Sequence, residues 1–457
     1  MLTYRIATLG CKVNQQESET LAAGFQALGF APARKGEAAD VYIINSCTVT
    51  SIADSKTRKL IRQARKTNPD ALVCVVGCLP ETSREAVLAM PEVDLAIGSL
   101  EKDRTAEIVA EAFKQKYPAR PGDSLRFVDG EKDKSTEITR LRAEGKLQPR
   151  TRAMVKIEDG CDRFCAFCIV PYARGDVRSR PVDEVVAEAE RLLKNGFKEL
   201  ILTGVNLALY GSEHSGDGEH SGDGEHSGDG SFCVPAGTQK EPSPLCSLVE
   251  RICGIDAGGE FRVRLGSLEP NMIDADGAAR IAGIPGVCPQ FHLSLQSGAR
   301  RTLKEMGRPY TPEGYAEIIR KLRETDTLFS VTTDVIVGFP GEDDSDFEES
   351  LEFVNSIGFA RVHVFKYSKR PGTKAAEMPE QIPETVKNER SRRMIEAAEE
   401  AAERYLLLNK GKSRRTLVFG PDKSGKRIRG ITDNGIDIMF PIDNVAYEPN
   451  SFINYIF

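Results

Sequence analysis

A run of three cysteines, Cys161-Asp-Arg-Phe-Cys165-Ala-Phe-Cys168, constrains this chain more than any other feature. Three thiolates so close in sequence can wrap one metal centre. They follow an apolar run, Ala153–Ile157, that reads as a strand. A structural zinc site normally takes four ligands, often as two C-x2-C pairs. Here no fourth cysteine or histidine is near in sequence, the next cysteine being Cys233. Three ligands suit a [4Fe-4S] cluster with one iron left open to a substrate, because thiolates hold such clusters. The other readings are a structural metal loop or three core thiols.

The first 118 residues alternate apolar runs (Tyr4–Leu9, Val41–Ile44, Leu72–Val76, Val93–Ile97) with helix-like stretches at about 14–29 and 50–67. That alternation predicts an α/β unit with a parallel sheet covered by helices. Residues 119–150 are polar and charged and read as a linker. A second α/β region, 151–382, has strand candidates at Ala153–Ile157, Glu199–Thr203, Arg262–Leu265, Phe291–Leu295, Val331–Val337 and Arg361–Phe365. Strands alternating with helices predict a full or partial (β/α) barrel, with its site at the carboxyl ends of the strands. Residues 213–230 are three copies of EHSGDG carrying His214, His220 and His226. This low-complexity insertion reads as a flexible surface loop rather than a metal site. Residues 383–409 predict one long charged helix. The tail, 410–457, has strand candidates at Thr416–Phe419, Gly435–Phe440 and Ser451–Phe457, which suits a small C-terminal β-barrel.

A second cysteine set is spread out. Cys11, Cys47 and Cys78 each end one of the first three predicted strands. In an open parallel sheet those ends line the ligand crevice, so the three can converge on a second metal site, or stand as unrelated buried thiols. Cys74 lies four strand residues before Cys78, about 13 Å away at 3.3 Å per residue, and reads as core. Cys233, Cys246, Cys253 and Cys288 have no metal-like spacing and read as structural.

Composition excludes several classes. Apolar residues make up 40% and charged residues 28%, a globular balance. No run reaches the ~20 apolar residues a membrane helix needs. The start, MLTYRIATLGCKVNQQ, lacks a basic segment followed by an apolar one, so a cytoplasmic location is expected, where eleven cysteines serve as ligands or core rather than as disulfides. A net charge of −6 argues against a uniformly basic nucleic-acid binder but leaves room for local patches. Residues 56–66 hold six Lys or Arg and no acid, and residues 410–429 hold eight basic residues and one acid. Either patch suits phosphates or a solvated face.

The phrases TLGCKVNQQES, NSCTVT, VVGCLPE, KIEDGCDRFCAFCIVPYARG, LTGVNLALYG, HLSLQSGA, TTDVIVGFPGE and YSKRPGTKAA resemble the radical S-adenosylmethionine methylthiotransferase family across essentially the whole chain. Within it, Cys11-Lys12-Val13-Asn14 is most similar to the branch acting on N6-threonylcarbamoyladenosine in tRNA. The isopentenyladenosine branch usually reads Gln-Met-Asn after its first cysteine, and the ribosomal-protein branch Pro-Lys-Asn. Cys78 is followed by Leu79-Pro80-Glu81, where the branch usually has Tyr-Ala-Gln.

The resemblance implies two [4Fe-4S] clusters and S-adenosylmethionine as cofactors. Cys161, Cys165 and Cys168 would hold the catalytic cluster, which cleaves the cofactor to a 5′-deoxyadenosyl radical. Cys11, Cys47 and Cys78 would hold an auxiliary cluster implicated in sulfur supply. The implied reaction replaces hydrogen at adenine C2 of tRNA position 37 with sulfur, then methylates it. It also implies the anticodon stem-loop of tRNA as partner, a low-potential electron donor such as flavodoxin or ferredoxin, and a sulfur donor. Thr203 and Gly204 would approach the cofactor's amino group, Ser267 and Glu269 its ribose, and Gly338 its adenine. Each also reads as an ordinary turn or strand-end residue. In FHLSLQ, His292, Ser294 and Gln296 alternate with apolar residues and face a cavity or solvent; Gln296 is a further candidate cofactor contact. Arg174, Arg178 and Arg180 read as phosphate contacts or as ion-pair residues, and Glu342–Glu349 as a solvated helix start. GITDNGIDIMF resembles a TRAM module, a small RNA-binding barrel.

Overall fold

The computed structural model describes residues 2–117, 151–213, 242–271, 273–442 and 448–457. The expected linker, the repeat from residue 214 onward with its histidines, and Cys233 lie outside the described residues.

The first unit is a five-stranded parallel sheet of order β2-β1-β3-β4-β5, with β1 at Thr3–Thr8, β2 at Ala31–Pro32, β3 at Val41–Ser46, β4 at Leu72–Gly77 and β5 at Leu95–Ile97. The sequences of β3 and β4, VYIINS and LVCVVG, are buried at every position. Such continuous apolar runs fit strands covered on both faces. Alternate residues feed two cores: Val41, Ile43, Cys74 and Val76 pack with Phe25 and Phe113, whereas Tyr42, Ile44, Val73 and Val75 pack with Ile61. The covering helices are α1 (Lys12–Ala27), α2 (Ser51–Thr67), α3 (Cys78–Leu88) and α4 (Thr105–Lys116). Helix α3 hides in the sequence because Pro80 looks like a breaker, yet proline is tolerated in a first helical turn.

The second unit begins with β6 (Arg152–Lys156), followed by the short antiparallel pair β7 (Glu158–Asp159) and β8 (Arg178–Ser179) that brackets the cysteine run. Parallel strands follow: β9 (Glu199–Thr203), β10 (Arg262–Leu265), β11 (Ser267–Leu268), β12 (Gln290–Leu293), β13 (Ser330–Val337) and β14 (Arg361–Lys366). They pair as β6-β9-β10 and as β11-β12-β13-β14, with β10 running into β11 through Gly266. Among the described residues β6 and β14 do not pair, so this is the partial barrel expected. Strand β13 shows the register: Val331, Thr333, Val335 and Val337 are buried outward, while Thr332, Asp334 and Ile336 face the lumen half-buried.

A single helix, Glu384–Asn409, leads to the tail, whose described residues form an antiparallel sheet of order β17-β16-β15-β18: β15 at Ser413–Pro421, β16 at Arg427–Thr432, β17 at Asp437–Pro441 and β18 at Phe452–Ile456. Its own small core is Val418, Ile428, Ile438 and Phe440. Strand β16 escaped the sequence reading because its exposed positions are arginines. The sheet docks at the amino end of the barrel. Arg262 donates to the carbonyls of Arg415 (3.0 Å) and Ile431 (2.9 Å), Arg264 donates to that of Thr432 (3.0 Å), and both arginines pair with buried Glu199. The acidic stretch 342–349 is not wholly solvated: Glu342 and Asp346 are buried on Arg390 and Arg301, while Asp343 caps the helix Asp344–Ile357.

One buried network joins the two large units. Glu17 of α1 receives Lys102, Arg174 (3.0 Å) and Lys156 (3.3 Å); Arg174 also reaches Asp159 (2.8 Å) and Asn14 (2.6 Å). Burial alone would raise the Glu17 carboxyl, but Lys102, Arg174 and Lys156 overcome it and hold the group at about 2. Its ordinary value is 4.5, so it contributes stability that is present above pH 4.5 and lost as pH falls from 4.5 toward 2. Glu17→Ala strands three cations without their counter-charge, and chemical denaturation at neutral pH is expected to show a loss of about 3–5 kcal/mol. The variant's stability should also fall less steeply than the wild type's between those pH values, because Glu199 and Asp159 still titrate there. A loss under about 1 kcal/mol would place this network with ordinary surface pairs.

Candidate functional site

Cys161, Cys165 and Cys168 sit in the loop between β7 and β8, at the carboxyl end of the barrel. The chain enters through Gly160 at φ 87°, where any Cβ would collide with the carbonyl of Asp176. Backbone hydrogen bonds hold the loop: Cys161 N–H to Gly175 O (2.9 Å), Ala166 N–H to Met306 O (2.9 Å) and Cys168 N–H to Cys165 O (2.8 Å). All three thiols line one cavity of about 290 Å³.

The same cavity collects the expected Ser267, Glu269 and Gln296, together with Ser294. The polar face of FHLSLQ therefore points into the barrel, Ser294 and Gln296 here and His292 deeper in the lumen. Gln296 adopts φ 67°, costly for a residue other than glycine by about 1–3 kcal/mol. It is held there by N–H to Asp334 O (2.8 Å) and by Ile336 N–H to its own carbonyl (2.8 Å). Thr203, Gly204 and Gly338 are not on the cavity wall. Thr203 is buried at the end of β9, and Val205 and Asn206 line the cavity in its place. Gly204 backs against Glu158, leaving no room for a Cβ. Gly338, at φ 72°, lies under Lys387 of the long helix and donates its N–H to Glu342 (2.8 Å).

Sequence reasoning missed Arg308. Its guanidinium is bonded to Glu269, lies 5.5 Å from the Phe167 ring centroid and faces the three thiols. Asn206 holds the other Glu269 oxygen (2.7 Å), so that carboxylate is fixed in one orientation. A lone arginine in GRPY carries no spacing signal that would reveal this. Glu158 was also missed. Burial pushes its carboxyl up to about 8 against the N–H of Asn206 (2.9 Å), and its Oε1 is buried without a partner. It is mostly protonated at neutral pH.

The second cysteine set converges too. Cys11 is the N-cap of α1, Cys47 follows β3 directly and Cys78 opens α3, at the carboxyl ends of the adjacent strands β1, β3 and β4. Gly10 makes the approach possible: at φ 108°, a Cβ on it would stand 2.8 Å from that of Cys47. Cys47 is near enough to Cys78 and Cys11 for thiolates there to repel its own. Val49 and Thr50, just past Cys47, reach the wall of the barrel cavity, so the two sets flank one space. Cys74 is fully buried in the core, as expected. Cys246 and Cys288 are buried and Cys253 is half-buried; all three are free thiols, and Cys288 is near enough to Cys253 to help raise its thiol.

Both sets fit iron clusters. Burial pushes the Cys161 thiol up to about 12 and the Cys47 thiol up to about 11, and neighbouring cysteines add to each shift. Three such thiols become thiolates together only around cations. Among the described residues no three His, Cys, Asp or Glu side chains close tightly enough for a single metal ion. A four-iron cluster takes one thiolate per iron, so three cysteines on the wall of one cavity can hold three of its irons.

Of the arginines after the cluster loop, Arg174 is 3% exposed and committed to Glu17, Asp159 and Asn14, so it is not a phosphate contact. Arg180 pairs with Glu188, and Arg178 stays exposed. Helix α2 keeps Lys56, Arg58, Lys59, Arg62 and Lys66 exposed. In the tail, Arg414 pairs with Asp326 and Arg415 with Glu260, so the basic run offers fewer free charges than its sequence suggests.

Residues 155–354 match the Radical SAM superfamily, and residues 3–98 match the Uncharacterized protein family UPF0004. The chain is 34% identical to the threonylcarbamoyladenosine tRNA methylthiotransferase MtaB of Bacillus subtilis (strain 168), over 96% of this chain and 90% of that protein. It is 34% identical to MtaB of Aquifex aeolicus (strain VF5), over 94% and 95%. It is 35% identical to the tRNA-2-methylthio-N(6)-dimethylallyladenosine synthase of Opitutus terrae, over 94% and 90%. Among solved structures, the radical S-adenosylmethionine methyltransferase TsrM from Kitasatospora setae, with tryptophan substrate and a SAM analogue, superposes with a TM-score of 0.55 at 14% identity, over 82% of this chain and 75% of that one, a likeness of fold alone. On this match to curated relatives along nearly its whole length, the chain belongs to the radical S-adenosylmethionine methylthiotransferase family.

Proposed function

We propose that this chain is a tRNA methylthiotransferase that converts N6-threonylcarbamoyladenosine at position 37 to its 2-methylthio derivative. The observation that carries this reading is the cavity in which Cys161, Cys165 and Cys168 share walls with Ser267, Glu269 and Gln296. Cys161, Cys165 and Cys168 would hold a [4Fe-4S] cluster with one open iron, and Cys11, Cys47 and Cys78 a second. Bound there, the clusters and S-adenosylmethionine supply the radical and sulfur chemistry at adenine C2. The chain's own residues position and shield it. Glu269, fixed by Arg308 and Asn206, and Gln296, fixed by its strained backbone, offer polar contacts of one set geometry for the cofactor. Thr203, Gly204 and Gly338 would act through the turns they shape. A low-potential electron donor such as flavodoxin or ferredoxin, and a sulfur donor, complete the reaction.

The functional units would be 1–118 with the auxiliary cluster, 151–382 as the radical barrel, 383–409 as a connector and 410–457 as a TRAM-like RNA-binding module. Base 37 would be splayed from its loop into the lumen, as loop bases are by RNA readers. The exposed cations of α2 and those left free on the tail would meet the backbone phosphates. The dimethylallyladenosine synthase of Opitutus terrae is as similar as the threonylcarbamoyl relatives, so the base must be separated by experiment.

Mass spectrometry of tRNA nucleosides decides the reaction. The chain would be expressed in a host that makes threonylcarbamoyladenosine but not its methylthio form, beside a Cys161→Ala version. The 2-methylthio-threonylcarbamoyl nucleoside is expected with the intact chain alone. Methylthiolation of the isopentenyl nucleoside instead would overturn the choice of base. For RNA binding, the Lys56→Gln/Arg58→Gln/Lys59→Gln variant should weaken binding to all tRNAs alike and flatten the log K against log salt slope by about 0.7–0.9 per lost phosphate contact. An unchanged slope would remove α2 from the interface.

A further inference from the structure

Below the thiol-lined cavity, a second cavity of about 1000 Å³ fills the amino-terminal half of the lumen. Its walls are inward residues of β6, β9, β10, β12, β13 and β14, closed off by α1 and by β16 and β17 of the tail. The two spaces are neighbours along β13. Asp334 lines the upper one and Thr332 the lower, two residues or about 6.6 Å apart. His292, in the lower wall, spans the boundary through Asp334 (3.3 Å) and Thr332 (3.0 Å). A base whose reacting edge lies by the cluster loop would point its far edge toward the lower chamber.

That chamber is cationic in a chain of net charge −6. Lys12, Arg152, Arg264, Arg361 and Arg429 line it, against Asp437 as the one lining carboxylate among the described residues. Arg152 and Arg264 are already paired with Glu199 (3.6 and 3.1 Å). Lys12 and Arg361 make no hydrogen bond or ion pair among the described residues, and both are exposed to this space. Lys12 is also the first residue of the Lys12-Val13-Asn14 phrase, whose position right after Cys11 places it at the head of α1. Arg429 of the tail is likewise without a hydrogen bond or ion pair among the described residues. Three cations from three units therefore face one chamber behind the reaction space and fit an anion delivered on the substrate, Lys12 and Arg361 being those of the two units that form the reaction space. A backbone phosphate is the rival ligand, and it would be met equally by modified and unmodified loops.

We propose that Lys12 and Arg361 bind the carboxylate of the N6-threonylcarbamoyl group and so select that base over one with an uncharged N6 substituent. This rests on the reading of the substrate given above. An ammonium and a guanidinium fork together match a carboxylate, and hydrogen bonds to charged groups are the stronger class.

The test measures binding of cluster-loaded protein to three anticodon stem-loops, carrying N6-threonylcarbamoyladenosine, its carboxamide, or unmodified adenosine at position 37. The wild type is expected to bind the first about 10- to 100-fold more tightly than the carboxamide. Lys12→Gln and Arg361→Gln should each cut that ratio by about tenfold or more while leaving affinity for unmodified loops within about twofold. Equal weakening on all three loops would show phosphate contacts or a structural role, and would overturn the assignment. So would a preserved ratio in both variants, or a wild type that binds the three alike. If the wild type methylthiolates only isopentenyl tRNA, the substrate reading falls and this inference with it. If it methylthiolates the threonylcarbamoyl base while the ratios stay unchanged, the carboxylate site alone falls.

Discussion

The buried contact of Arg174 with Glu17 sets the relation of everything else. Arg174 ends the short helix after the cluster loop, and Glu17 lies on the helix that starts at Cys11. One guanidinium therefore fixes the spacing of the two cysteine sets, because each is rigidly attached to one partner. Lys102 and Lys156 surround the same carboxylate, so neither unit can rotate without exposing a buried charge. A buried ionic network is weak evidence for stability, since its desolvation offsets much of its attraction. Its directionality is what matters here. The partners meet in one geometry, and that geometry sets how the two cysteine sets face each other.

Burial governs the chemistry of both sets in the same way. Thiols packed together away from water resist ionisation, and each ionised neighbour makes the next harder. Such sites are poor reactive cysteines and good cluster ligands. The lumen follows a complementary rule. The chain is acidic overall, yet its interior chamber is lined by cations, some paired with Glu199 and some not. Net charge thus says little about what the interior binds, which depends on where the unpaired charges lie.

Much of this was legible in the sequence, for identifiable reasons. The barrel strands could be read from short apolar or alternating runs set between helical stretches, as in Glu199–Thr203 and Arg262–Leu265, and the observed bounds coincide there. The cysteine sets were legible from local features: close spacing for Cys161, Cys165 and Cys168, and a strand end for each of Cys11, Cys47 and Cys78. Residues that act across the fold were not. Arg308 and Glu158 have no periodic signature, and the sequence left Arg174 open between a phosphate contact and an ion pair, which Glu17, more than a hundred residues away in sequence, settles as the ion pair. Thr203, Gly204 and Gly338 show the converse: their motifs mark turns that neighbouring residues use to face the cavity. Strand β16 was hidden because exposed arginines interrupt its pattern.

The account stands on two independent clusters held by two cysteine triples. Iron and acid-labile sulfide content, with Mössbauer spectra, should be measured on anaerobically reconstituted wild type, on Cys161→Ala/Cys165→Ala/Cys168→Ala and on Cys11→Ala/Cys47→Ala/Cys78→Ala. The account predicts two [4Fe-4S] clusters in the wild type and one in each triple variant. A single cluster in the wild type, or a triple variant that retains both, would contradict it.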